Sequence, residues 1–122
     1  MSSTERDDVV AHLRRAVTAL DGVRERPHRG HASGWEFVID DVELGHVHED
    51  GAVHVLLPKR ERDHFVSAGL AAPLRYAPKS GWVEFIPTCG DDALAAAAIF
   101  RRAWRARQRR GAATRVLATA GV

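Results

Sequence analysis

Hydrophobic and polar positions follow two different periods along this chain. Near the start, apolar residues recur every three or four positions until Gly22, which predicts an amphipathic helix. We place the start of this helix at Thr4, because Thr4 and Asp7 form an acidic variant of the capping box. The apolar residues that define the helix are Val9, Val10, Leu13, Val17 and Leu20.

Later segments alternate with a period of two and are rich in β-branched and aromatic residues, which favours strands. Pro58 and Gly69 bound a short helix between strands, and Asp91 is placed to cap a long last helix. Residues 23–34 are rich in charge, glycine and proline, so a mobile connection is predicted there. The predicted strands are residues 35–39, two strands within residues 42–57 on either side of the Glu49-Asp50-Gly51 turn, residues 74–76 and residues 82–86.

This order of elements predicts an α+β fold. It is a two-layer α-β3-α-β2-α domain with an antiparallel sheet and helices on one face. Residues 1–110 form the single domain, and residues 111–122 form a flexible tail. The other sheet face either meets water or pairs with a second copy, because an apolar patch with Leu44 and Leu56 is costly to expose. A homodimer through the sheet is therefore one predicted partner.

The hairpin around Glu49-Asp50-Gly51 carries three of the seven histidines. A type I turn followed by a left-handed glycine bulge would set His46 opposite His54. In that register His46, His48 and His54 share one face of the sheet. A two-residue turn would instead pair His54 with Val47 and separate the histidines.

Length and composition restrict the class of protein. A chain of 122 residues allows one domain with its own core, which needs no disulfide or metal to fold. Cys89 is the only cysteine, which fits a reducing compartment and predicts a cytoplasmic location. No apolar run is long enough to span a membrane, and residues 1–8 are too polar for a secretory signal.

Positive charge is concentrated near the C-terminal end. The net charge is only +2, yet residues 101–122 hold seven arginines and no acid, leaving eleven basic against sixteen acidic residues before them. A basic helix can contact nucleic-acid phosphates, but it is also typical of a solvated helix in an arginine-rich chain. Nucleic-acid binding is therefore an alternative and not the favoured function. Its candidate residues are Arg101, Arg102, Arg105 and Arg109.

The sharpest chemical hypothesis concerns the histidine-bearing face. Three neutral imidazoles at about 2.0–2.1 Å can hold zinc with an open water position. His46, His48 and His54 are therefore candidate metal ligands, and Glu36 or Glu43 is a candidate fourth ligand. Against this, histidines on a flat sheet project outward in parallel, which opposes convergence on one ion. The favoured prediction is no cofactor, with zinc as the alternative.

No catalytic motif accompanies the histidines, so the catalytic residues are unknown. Cys89 lies just before a predicted helix N-terminus, where a thiolate is favoured, and His64 lies in a charged helical segment typical of a solvated surface. The sequence holds no glycine-rich phosphate loop and no dinucleotide fingerprint. The histidine face, together with Trp35 and Trp82, is a candidate surface for a small molecule or a protein.

Several spaced motifs resemble one protein family. They are Glu43-Leu44-Gly45-His46-Val47-His48, Asp50-Gly51, Leu57-Pro58, Gly69-Leu70-Ala71-Ala72-Pro73 and Pro78-Lys79-Ser80-Gly81-Trp82-Val83. Over about residues 16–106 the chain resembles the small luciferase-like domain family. It is more distantly similar to MmcQ/YjbR-like proteins, whose fold is similar to that of type III secretion chaperones.

The resemblance implies the same α-β3-α-β2-α order and implies no particular activity. The luciferase-like family is largely uncharacterised, and no catalytic motif of the family maps residue by residue onto this chain. YjbR-like relatives have been suggested to bind DNA and the secretion chaperones bind protein segments, but a shared fold does not transfer function.

The predicted function is therefore a non-catalytic module that binds a ligand or a protein through the histidine-bearing sheet face. The alternatives are nucleic-acid binding through the C-terminal arginines and a histidine-dependent, metal-assisted enzyme, including a luciferase-related activity.

Overall fold

The chain forms three helices and six strands within the residues that the structure describes. The computed structural model covers residues 1–28 and 33–120, with side chains as far as residue 112. The helices are α1 (Ser3–Thr18), α2 (Lys59–Ser67) and α3 (Asp92–Ala120). The strands are β1 (Arg24–Pro27), β2 (Gly34–Ile39), β3 (Val42–His48), β4 (Val53–Leu56), β5 (Ala72–Pro73) and β6 (Trp82–Phe85). The predicted α+β class is confirmed.

The first helix begins earlier than predicted. The Ser2 hydroxyl accepts the Glu5 N–H, and the Glu5 carboxylate accepts the Ser2 N–H, so these two residues form the capping box. The prediction of Thr4 with Asp7 was wrong, because Ser2 offers a glutamate at the third helical position and satisfies two backbone donors at once.

The described strands lie in one antiparallel sheet in the order β1-β2-β3-β4-β6-β5. Side chains from all three helices share one core with one face of that sheet. Phe37 of β2 and Phe100 of α3 are fully buried there, with ring centroids 5.2 Å apart in an edge-to-face contact. The helices therefore form one layer on one face of the sheet, and the second face carries a row of polar residues.

Strand β1 lies in a segment that the sequence predicts to be a mobile connection. Residues 24–27 pair with β2, and Arg26 lies opposite Glu36. An edge strand needs backbone partners on one side only, so its charged residues are compatible with pairing despite their low strand propensity. The prediction for residues 23–34 is wrong over β1, and residues 29–32 lie outside the described residues. The observed order is α-β4-α-β2-α.

The fifth strand is displaced from its predicted position. Residues 74–76 are not in a strand; the chain turns there, and the Ala77 N–H donates to the Leu74 carbonyl oxygen at 3.0 Å. Tyr76 is 87% exposed. The aromatic residue misled the prediction because strand propensity reflects packing on a half-buried surface, which Tyr76 lacks.

The histidine hairpin adopts the predicted register. His46 lies opposite His54, and Gly51 has φ +93° while its N–H donates to the His48 carbonyl oxygen at 2.9 Å. These are the features of a turn closed by a left-handed glycine bulge. The alternative pairing of His54 with Val47 is therefore excluded.

Asp91 directly precedes α3, which is the position predicted for the helix cap, and the Asp92 carboxylate binds the backbone in front of the helix. Asp92 Oδ2 accepts the backbone N–H of Thr88 at 2.7 Å and that of Cys89 at 3.3 Å. The Thr88 N–H in particular holds the pKa of Asp92 below its ordinary value. A charged acceptor at this position also complements the helix dipole.

Helix α3 continues to Ala120, past the predicted domain boundary at residue 110. The flexible tail over residues 111–122 stays a prediction, and its last two residues lie outside the described residues. Trp104 Nε1–H donates to the Asp21 carbonyl oxygen at 2.8 Å, which ties α3 to the end of α1. None of the helices in the described ranges combines the length and the apolar character needed to cross a membrane.

The apolar patch that motivated a dimer is smaller than predicted. Leu44 is buried within the chain, whereas Leu56 is 39% exposed. The homodimer through the sheet stays a prediction.

Candidate functional site

A row of polar residues crosses the sheet in register on the face opposite the helices. Arg26 of β1 lies opposite Glu36 of β2, which lies opposite His46 of β3. His46 lies opposite His54 of β4, which lies opposite Glu84 of β6. We call these five residues the polar row. They share a face because partners directly opposite each other in a sheet point to the same side.

Two carboxylates fix the orientation of two imidazoles. Glu43 Oε1 lies 2.6 Å from His46 Nδ1, and Glu84 Oε2 lies 2.9 Å from His54 Nε2. An ionised carboxylate only accepts hydrogen bonds, so Nδ1 of His46 and Nε2 of His54 carry the donated protons. The remaining nitrogens, Nε2 of His46 and Nδ1 of His54, therefore present lone pairs when the rings are neutral.

Those remaining nitrogens converge with one from His48. His46 Nε2 lies 3.0 Å from His54 Nδ1, and His48 Nε2 lies 3.4 Å from the same atom. The three ring planes stand at 75°, 80° and 79° to one another. The expectation that sheet histidines project in parallel is wrong here, because the hairpin twist and the carboxylates turn the rings toward a common point.

A fourth histidine joins this group from an unexpected segment. His28 follows β1, and its ring stacks on His46 with centroids 4.0 Å apart and planes at 19°. His28 Nδ1 lies 3.4 Å from Glu36 Oε1, within ion-pair range but without hydrogen-bond geometry. His28, His46, His48 and His54 are called the histidine cluster below. The sequence analysis missed His28. A period of two from Arg26 places His28 on the same face, but this signal can be used only if β1 is predicted as a strand, and it was not.

The cluster is largely removed from water, which lowers the pKa of two of its imidazoles. Side chains of His28, His46 and His54 are only 12% to 14% exposed. Removal from water, followed by the nearby rings of the cluster, lowers the pKa of His48 to about 4. Removal from water also lowers the pKa of His54, although the hydrogen bond that His54 donates to Glu84 opposes that shift. His48 and His54 are therefore neutral near pH 7.

The two glutamates predicted as a fourth ligand lie behind the rings. Glu36 is almost fully buried and accepts Arg26 Nε–H at 2.8 Å, and Glu43 accepts from His46. Both carboxylates are thus positioned to orient basic side chains. His48 is different, because its buried Nδ1 has no hydrogen-bond partner among the described residues.

The two tryptophans predicted to bind a ligand lie on opposite faces. The Trp82 ring lies 5.5 Å from the His46 ring, at the histidine cluster. Trp35 pairs with Val47 on the helix-facing side, where the Arg14 guanidinium lies 4.1 Å from the centroid of its ring. Trp35 borders a cavity of about 440 Å³ beside α1, so the structure separates it from the histidines.

The other candidate residues lie away from the cluster. Arg101 and Arg105 are exposed on α3, and Arg109 forms an ion pair with Glu61 at 2.9 Å. The remaining arginine, Arg102, lines a small cavity that includes His64. His64 is exposed, as predicted, and Cys89 is an exposed free thiol.

A comparison with protein-family models identifies one match. The model described as Luciferase domain matches residues 41–103, just over half of the chain. The match includes the hairpin, α2, β6 and most of the motifs on which the resemblance was based, and it confirms that resemblance. No curated protein and no solved structure matches the chain. The matched range contains His46, His48, His54 and Glu84 but not His28.

Proposed function

We propose that this chain, which belongs to the Luciferase domain family, is a binding domain whose ligand site is the histidine cluster and the carboxylates behind it. The observation that carries the proposal is the convergence of three imidazole nitrogens at 3.0 Å and 3.4 Å on the helix-free face. Two of these rings are already oriented by Glu43 and Glu84.

The unfavourable free energy of burying these imidazoles supports a functional role for the histidine cluster. Burying several imidazoles side by side costs hydration, and the unpaired Nδ1 of His48 adds to that cost. A sheet face that only meets water does not need this arrangement, whereas strongly shifted pKa values such as that of His48 concentrate at functional sites. A bound ligand that takes up the lone pairs of the converging nitrogens would offset part of this cost.

Native mass spectrometry of the full-length protein, produced without a polyhistidine tag, tests the proposal. We expect added mass that is retained in the wild type and in the surface control His64→Ala, and lost in the triple variant His46→Ala, His48→Ala, His54→Ala. An adduct that survives in the triple variant, or spectra without any adduct for all three proteins, would contradict the proposal. The same spectra report whether the chain forms a homodimer.

A histidine-dependent enzyme is the second candidate. The contact between His54 Nε2 and Glu84 Oε2 at 2.9 Å orients the ring as carboxylates do for general bases. An activity that depends on this pair should fall on substitution of His54 by glutamine. An unchanged rate in the triple variant would exclude this candidate.

Nucleic-acid binding is best tested by removing charge. Truncation after Arg101 would also remove Ala103 and Ala106, which are buried in the fold. Replacing the exposed Arg101 and Arg105 by glutamine leaves that packing intact. Duplex binding that is unchanged by these substitutions would count against the arginine helix as the binding site.

A further inference from the structure

We infer that the ligand of this site is a divalent transition-metal ion of the zinc class, bound by His46 Nε2, His48 Nε2 and His54 Nδ1. The inference rests on the function proposed above and names the chemical class of its ligand. It stands on three independent features: the count of protons between the rings, the distances between nitrogens and the angles between ring planes.

When the ring protons are assigned, the close contact between His46 Nε2 and His54 Nδ1 is left without a proton. Glu43 accepts from His46 Nδ1 and Glu84 accepts from His54 Nε2. In neutral rings the facing atoms, His46 Nε2 and His54 Nδ1, are then both lone-pair acceptors, yet they lie 3.0 Å apart. Two acceptors at hydrogen-bond distance repel, so the contact needs a positive charge between them, which either a proton or a metal ion can supply. A metal ion supplies that positive charge and takes both lone pairs.

The nitrogen separations match those of a tetrahedral metal site. Ligand nitrogens at about 2.0–2.1 Å from zinc lie about 3.3 Å from one another when the site is tetrahedral. The separations from His54 Nδ1 are 3.0 Å to His46 Nε2 and 3.4 Å to His48 Nε2. These two separations fit a tetrahedral site after shifts of a few tenths of an ångström.

The ring planes select which three histidines bind. A metal lies close to the plane of each imidazole that ligates it, so three ligands require planes that meet at one point. The rings of His46, His48 and His54 stand at 75° to 80° to one another, with centroids 4.8 Å to 5.0 Å apart. Three nearly perpendicular planes meet at a single point, which is the arrangement that a shared ion requires.

A different set, His28, His46 and His48, offers nitrogens that all lie within 4.8 Å of one another. The rings of His28 and His46 are stacked at 19°, however, so their planes run nearly parallel and do not meet near the site. We therefore assign His28 to packing against His46 and not to coordination. Its role is to fix the orientation of the His46 ring by stacking on it.

The carboxylates have the arrangement that surrounds metal-bound histidines. Histidine ligands usually donate their second ring nitrogen to a carboxylate, which fixes the tautomer and strengthens the ligand. Glu43 and Glu84 do this for His46 and His54. Imidazole suits zinc, copper, nickel and iron, whereas magnesium and calcium prefer oxygen ligands. Three imidazoles therefore point to the former group.

Titration of the chelator-treated, full-length protein with Zn²⁺ tests this inference. We expect one equivalent to bind, and we expect Co²⁺ in its place to give the visible absorption of a tetrahedral cobalt site. Competition with a chromophoric chelator gives the affinity. Absence of stoichiometric binding of both ions at micromolar protein would overturn the inference.

Substitutions separate the site from other histidines. His48→Gln and His54→Gln should each weaken Zn²⁺ binding at least 100-fold, and Glu43→Gln should weaken it about 10- to 100-fold through its effect on His46. His64→Gln is the matched surface control and should bind as the wild type does. Circular dichroism of each protein establishes that the variants are folded. Equal affinities across the folded variants would contradict the assignment.

The outcomes also separate this inference from the proposed function. If Zn²⁺ and Co²⁺ fail to bind while native mass spectra show an organic adduct that the triple variant loses, the metal assignment is wrong and the binding site stands. If neither a metal nor an adduct is found, both proposals fail.

Discussion

A histidine has two ring nitrogens with different tasks, and His46 and His54 use both. One nitrogen of each ring donates to a glutamate, and the other faces the neighbouring ring. The carboxylate thereby decides which nitrogen keeps its lone pair. His48 has no such partner, so its chemistry is governed by burial, which lowers its pKa to about 4. At the residue scale, hydrogen bonds to glutamates thus determine which nitrogen of His46 and of His54 can bind a ligand.

The depressed pKa of His48 predicts a pH-dependent stability in the metal-free protein. The pKa of a histidine in an unfolded chain is about 6.5, whereas burial lowers the pKa of His48 in the folded protein to about 4. Between these values the unfolded chain binds more protons, so the free energy of unfolding falls as pH falls from about 6.5 to about 4. After allowance for solvent screening we expect a loss of about 1–2 kcal/mol.

Urea denaturation at pH 7 and pH 4.5, in the presence of a chelator, measures this loss. Carboxylates titrate in part of the same range, so the comparison with His48→Gln isolates the contribution of His48. The substituted protein should lose less stability between the two pH values. Identical losses in both proteins would show that His48 is not responsible.

Gly45 is predicted to tolerate no side chain. A methyl group there would lie 2.7 Å from Phe100 Cε1 and would overlap the His54 carbonyl oxygen. Gly45→Ala should therefore lower the free energy of unfolding by about 1–3 kcal/mol. Gly90→Ala is the control, because nothing lies within 4 Å of the added atom, and its effect should be small. Chemical denaturation of both variants measures the difference, and equal stabilities would contradict the close approach of α3 to β3.

At the scale of elements, the β3–β4 hairpin sets the geometry of the site. Its register places His46 opposite His54, and the strand period places His48 on the same face. A shift of one residue would send the histidines into the core and the valines outward. The turn is therefore as important to the site as the ligating atoms.

Gly51 is the residue on which that register depends. It has φ +93°, so Gly51→Ala should cost about 1–2 kcal/mol in the free energy of unfolding. Gly51→Asn should cost less, because asparagine tolerates left-handed conformations better than alanine does. Thermal or urea denaturation distinguishes the two. A stability of Gly51→Ala equal to that of the wild type would show that the turn relaxes to another conformation.

At the scale of the whole molecule, one face of the sheet packs against the helices and the other face carries the candidate site. All three helices pack on one face, around Phe37 and Phe100, and leave the other face to the polar row. The core then holds six strands in register, so residues from β2, β3, β4 and β6 meet across the sheet. Stability and chemistry therefore belong to opposite faces.

We expect the C-terminal part of α3 to be dispensable both for the stability of the fold and for the binding site. Within the described side chains, the last buried residue of α3 is Ala106. A chain that ends at Arg110 should keep its melting temperature within about 2 °C, because it removes no core contact found here. A chain that ends at Arg101 should fail to unfold cooperatively, since it lacks Ala103 and Ala106. A large loss of stability in the longer variant would contradict the domain boundary at residue 110.

Local patterns were sufficient for much of the fold. Helical spacing predicts α1, and the chemistry of Asp50-Gly51 predicts the hairpin register, because both depend on residues close together in sequence. β1 escaped prediction because its four residues owe their conformation to pairing with β2 and not to their own propensity. The displaced β5 has the same cause, since Ala72–Pro73 is a strand only beside β6.

By itself, the sequence determined a hairpin that carries His46, His48 and His54, and it favoured the register in which they share one face. Only the tertiary structure decided what surrounds them. Strand order brings Glu84 beside His54, and an unpredicted edge strand brings His28 against His46. The orientation of the His54 ring by Glu84 and the stacking of His28 on His46 therefore depend on residues outside the hairpin. Local geometry fixes a register, but the direction of a side chain depends on contacts between residues far apart in the chain.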